Sequence, residues 1–191
     1  MDAMPSISPF GDHSNGTSPS GMFPSPYVRR LSLAEVGCGR QEGAYHPCPF
    51  DMFVRAGMPL AECVLLSEAA HREFMDQSGL KEDLLAPFRH SGVFASASIA
   101  MRMRLSHRSS PIDGELNRQI CEALIGFGSP SVAVVSEGLI ERRLRSIPEV
   151  KDAIREAWLS LEGLGRQLEA ASRGEVIPTW PVSILAENAS G

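Results

Sequence analysis

Ala95-Ser96-Ala97-Ser98-Ile99-Ala100-Met101-Arg102-Met103-Arg104-Leu105 opens the stretch, Phe94 to Pro148, whose reading decides the fold. Small or apolar residues alternate with polar ones along it. That period of two predicts a half-buried strand over Phe94 to Leu105. Pro111 and the Asp113-Gly114 pair interrupt the pattern. Leu116, Ile120, Leu124 and Phe127 then recur at helical spacing, which predicts a helix with one buried face from about Glu115 to Phe127. Gly126 and Gly128 end it. Val132-Ala133-Val134-Val135 is an apolar run of strand length, and Leu139, Ile140, Arg142, Arg143 and Leu144 fall in a second expected helix. The order is strand, helix, strand, helix. It predicts an α/β domain with a central mixed sheet, in which the two strands are parallel neighbours joined by a helical crossover.

Working outward, Met1 to Pro26 is rich in Ser, Pro and Gly and carries no period. It cannot bury enough surface to offset its ordering entropy, so it is expected to be a disordered tail. Residues 27–191 form the single expected domain. Val28-Arg29-Arg30-Leu31-Ser32-Leu33 reads as a short strand or one helical turn. Ala61 to Leu66 suits a buried strand, Glu68 to Gln77 a helix, and Leu80 to Phe88 a second short helix interrupted by Pro87. Val150, Ile154, Ala157, Leu161, Leu164, Leu168 and Ala171 alternate spacings of four and three. They predict one long C-terminal helix near residues 149–173 that packs on its own domain and offers a possible homodimer contact along 150–171. Trp180 to Leu185 reads as a last strand, which Pro178 and Pro181 confine to an edge or a bend.

The chain has 191 residues, a formal net charge of −5 and 43% hydrophobic residues, enough for a real core. Its apolar runs are too short to cross a bilayer. Its first residues show neither a secretory signal nor an arginine-rich transit pattern, so a cytoplasmic location is expected. Bulk nucleic-acid binding needs clustered positive charge, which this balance opposes. Lys81 and Lys151 are the only lysines; the other basic residues are arginines. Arginine presents a planar fork to carboxylates and phosphates. Genomic composition explains the same bias without any ligand.

Cys38, Cys48, Cys63 and Cys121 form no C-x-x-C pair. Cys38, His46 and Cys48 lack the matching second pair of a zinc site, so no metal is expected and the thiols read as reduced. The chain has no nucleophile elbow, phosphate loop, dinucleotide fingerprint or H-E-x-x-H helix. Arg102 and Arg104, two apart on the expected strand, share one face. His107 and Arg108 follow at its end. Ser136, Glu137, Arg142, Arg143 and Arg145 are explained by capping and dipole effects on the second expected helix.

Leu105-Ser106-His107-Arg108 lies before the first helix. Val134-Val135-Ser136-Glu137-Gly138-Leu139-Ile140-Glu141-Arg142-Arg143-Leu144-Arg145 lies after it. Together they resemble the acyl-homoserine-lactone synthase family, in which a Glu-x-Ser-Arg strand end is followed by a Val-Thr-Val-x-x-x-x-Met-Glu-Arg-x-Leu-Arg-Arg stretch. Phe50-Asp51 resembles the family's Asp-x-Phe-Asp segment, and Cys63-Val64-Leu65-Leu66-Ser67 its Cys-Arg-Leu-Leu-Pro strand. The four pieces stand in the family's order over about residues 50 to 146. The resemblance implies an N-acetyltransferase-like fold. It also implies transfer of an acyl group from an acyl carrier protein or acyl-CoA thioester to the amine of S-adenosylmethionine, with no resident cofactor. Asp51, Arg104 and Arg108 become the expected substrate-binding residues. Arg104 or a neighbour stands where the family carries its catalytic glutamate, and Val64 replaces the family's strand arginine. The base that must deprotonate the amine is then sought by position in His107 and Glu115. The competing expectation is an inactive relative that keeps the scaffold as a regulatory or protein-interaction module.

Overall fold

The computed structural model describes residues 26–31, 62–89, 96–127, 129, 131–136 and 139–187. Asp51, the Cys38–His46–Cys48 group and almost all of the expected tail lie outside these residues. Chain order is β1 (Val28–Leu31), β2 (Cys63–Leu66), α1 (Glu68–Ser78), α2 (Leu80–Leu85) with a 3-10 turn (Ala86–Arg89), α3 (Ser96–His107), α4 (Gly114–Ile125), β3 (Ser131–Ser136), β4 (Leu139–Leu144), α5 (Ile147–Trp158), α6 (Leu161–Ser172) and β5 (Val182–Glu187). The five described strands form one sheet in the order β1-β2-β5-β3-β4, and every neighbouring pair is antiparallel.

The α/β class is therefore found, and the mixed sheet with its parallel crossover is not. The segment expected as the first strand is helix α3. Its buried residues, Ile99, Ala100, Met103 and His107, follow helical spacing. Ala, Met, Arg and Leu favour helix, and Ile99 is its one β-branched residue, so intrinsic preference outweighed a weak alternation. The second expected helix is strand β4. Ser136 pairs with Leu139, so two residues, Glu137 and Gly138, join β3 and β4. Such a short connection between strands selects a hairpin. β3 is buried along Val132 to Ser136, and a strand buried on both faces needs ladder partners on both sides.

The expected long C-terminal helix is two helices. Ser146 opens α5 with a reciprocal capping box to Glu149, followed by Pro148 in the first turn. Ser160 opens α6, where its hydroxyl accepts from the Gly163 N–H at 3.2 Å. Val150, Ile154, Ala157, Leu164, Leu168 and Ala171 are all buried in this chain's own core; Leu161 is exposed. The stripe, Leu161 excepted, is thus consumed internally. The last strand begins after Pro181 and runs through the sheet's centre, between β2 and β3, so its prolines precede the ladder instead of forcing it to an edge.

Val64, Leu66, Val132, Val134, Val182, Ile184 and Ala186 form the sheet face that meets the helices in the main core, with Phe74, Trp158, Leu116 and Leu168. Among the described strands, β1 and β4 lie outermost in the sheet. β1 is four residues long with Arg29 and Arg30 exposed. β4 carries a bulge, because Val132 pairs with Leu144 and Val134 with Glu141; Arg143 there adopts a left-handed φ of 62°.

Candidate functional site

Helix α3 delivers three of the expected site residues to one place, the C-terminal turn where positive charge suits the helix dipole. Arg104 Nη2 donates to Glu156 Oε2 at 2.5 Å, and Arg108 Nε meets Glu156 Oε1 at 3.1 Å. Glu156 belongs to α5, so one carboxylate spans two guanidiniums, one per oxygen. His107 turns the other way. Its Nε2 lies 2.8 Å from Asp83 Oδ2 on α2, and its Nδ1 lies 3.4 Å from the Ser110 hydroxyl. The His107 side chain is 7% exposed and the Asp83 side chain 57%. A carboxylate accepts only, so in the neutral ring the Nε2 proton points at Asp83 and the Nδ1 lone pair faces Ser110. The group can therefore hold a proton at a defined ring nitrogen, and it joins α2, α3 and α5.

Glu115 stands apart, on α4. It accepts from the Arg118 guanidinium and from Gln119 Nε2 at 2.6 Å, both on its own helix. Arg118 first, and Gln119 second, hold its carboxyl down at about 2. A carboxylate so stabilised is a weaker base than a free one. Arg102 also departs from its expected place. On a helix, two residues subtend about 200°, so Arg102 and Arg104 point away from each other. The structure thus joins Arg104 and Arg108 through Glu156, sets His107 against Asp83, and leaves Glu115 elsewhere.

A second cluster had no counterpart in the sequence reading. His71 of α1 is fully buried, stacked on Trp158 with ring centroids 5.3 Å apart and 7° between planes. Trp180 meets it edge-on at 4.4 Å, and the Trp180 backbone N–H donates to His71 Nδ1 at 3.2 Å. Arg166 lies over the Trp180 ring at 5.5 Å. Burial drives the His71 pKa down to about 3, so the ring is neutral. The available signal was its position three residues before Phe74 on the buried side of α1. The cluster pins α1, α5 and the approach to β5 together.

Among the described residues, no three His, Cys, Asp or Glu side chains form a metal-binding group. No helix among them is long and apolar enough to cross a membrane. No protein-family profile matches the sequence, and no curated protein matches it significantly.

Proposed function

We propose that this chain is a non-catalytic protein-interaction module whose candidate-site charges serve to hold its helices together. One observation carries the reading: Glu156 takes both Arg104 and Arg108. A guanidinium already paired with its own chain's carboxylate must exchange that partner for a substrate's, so little net affinity is gained. The pair His107–Asp83 joins α3 to α2 in the same way.

A second reading, acyl transfer to the amine of S-adenosylmethionine on an N-acetyltransferase-like scaffold, is favoured by His107 alone. With Nε2 facing Asp83, its Nδ1 is positioned as a base toward whatever replaces the Ser110 hydroxyl. Mass spectrometry of extracts from cells expressing the chain separates the two. The interaction reading expects no acyl-homoserine lactone. A lactone that appears with the native chain and disappears with His107→Asn overturns it in favour of acyl transfer.

A further inference from the structure

Helix α3 packs its Ile99, Ala100, Met103 and His107 side inward, yet its outer side is not wholly polar. Met101 is 45% exposed and Leu105 65%. At about 100° per residue, these two lie one turn apart on one line, flanked by Arg104 on one side and Arg102 on the other. Segment Ser96–His107 contains no acidic residue. Arg104 and Arg108 share the single carboxylate of Glu156, so this cluster keeps an excess positive charge. The whole chain carries −5. The face is thus a basic-rimmed apolar stripe on an acidic protein.

We infer that the outer face of α3 docks an acidic amphipathic helix of a partner protein. This rests on the interaction-module reading and names the partner's chemistry. Paired apolar anchors one turn apart fit the apolar face of another helix, and Arg102, on the flank away from the Glu156 cluster, fits a carboxylate beside that face. A second copy of this chain does not fit, because α3 against α3 brings arginine to arginine. An anionic membrane is disfavoured, because the rest of the acidic molecule is repelled from it and two anchors bury little area.

The test uses the full chain and a stapled helical peptide of about 18 residues, with leucines at i, i+4 and i+7 and glutamates on both flanks. Its control carries lysines in place of the glutamates. Fluorescence anisotropy should show saturable binding of the acidic peptide in the range of about 1–100 μM. Affinity should fall at least about tenfold in the Met101→Ser/Leu105→Ser double variant and in Arg102→Glu, with native melting curves retained. It should also weaken as salt rises from about 0.05 M to about 0.5 M. No saturable binding up to about 1 mM peptide overturns the inference. So does equal binding of the lysine peptide, or Met101- and Leu105-dependent sedimentation with phosphatidylserine vesicles in place of peptide binding. Peptide binding that ignores Met101 and Leu105 also sinks this surface but leaves the module reading standing. That reading falls separately, to a lactone product.

Discussion

His71 shows how one buried side chain sets a property of the whole molecule. Its Nδ1 accepts the Trp180 backbone N–H, and its ring lies between two tryptophans with no access to water. Burial lowers its folded pKa to about 3, whereas an exposed histidine titrates near 6.5. Below the unfolded value, the unfolded chain binds a proton that the folded chain refuses. The stabilising contribution is therefore complete above about pH 6.5 and is lost as pH falls from there toward the folded pKa, by about 1.4 kcal/mol per pH unit. Urea midpoints should fall accordingly between neutrality and about pH 5, by roughly 2 kcal/mol of stability. His71→Phe, which keeps an aromatic ring without the titrating nitrogens, should flatten that part of the profile. An unchanged pH slope in the variant would place the acid sensitivity elsewhere. Helical spacing places His71 on the side of Phe74, but a core histidine and a surface histidine share the same letter; the Trp158 and Trp180 rings, distant in the chain, decide between them.

At the scale of elements, caps decided what periodicity misread. The stripe from Val150 to Ala171 is compatible with one helix or two, since both place the same residues inward. Ser146 with Glu149, and Ser160 with the Gly163 N–H, mark two starts. Ser146→Ala removes one hydroxyl acceptor from the first turn of α5 and should lower stability by about 1 kcal/mol. Calorimetry checks it; a change below about 0.3 kcal/mol would show that the cap adds nothing there. The other two misread elements have different causes. Helix α3 alternates serine with alanine and then methionine with arginine, a pattern that carries little apolar contrast, so its helical preference was the better guide. In β4, Leu139, Ile140 and Leu144 fit a helix locally. The pairing with β3, a contact between segments, settled it as strand. Strands β2, β3 and β5 and helices α1, α2 and α4 were legible because each is a contiguous run with a strong pattern of its own. Of the candidate site, His107 and Arg108 were legible as charged residues at an element's end. Their partners Asp83 and Glu156 were not, since each lies more than twenty residues away in the chain.

At the scale of the molecule, the last strand occupies the middle of the sheet. β5 pairs with β2 along Cys63 to Leu66 and with β3 along Ser131 to Val135, so it closes two halves of the chain over one core. Ending the chain before Val182 leaves both neighbours with unpaired ladders and removes Val182, Ile184 and Ala186 from the core. Such a truncation should abolish cooperative thermal unfolding, as read by circular dichroism; a sharp, native-like transition would show that β5 is dispensable. The same closure brings α2, α3 and α5 together on the helical side, where the charges of the candidate site meet.

That meeting is the centre of the account, and a double-mutant cycle on Arg104 and Glu156 tests it most directly. Arg104→Met, Glu156→Gln and the double variant should each fold, and chemical denaturation should give a favourable coupling between the two positions of about 1 kcal/mol. Losses that simply add, with coupling within about 0.3 kcal/mol of zero, would show that the Arg104–Glu156 pair does not hold α3 to α5.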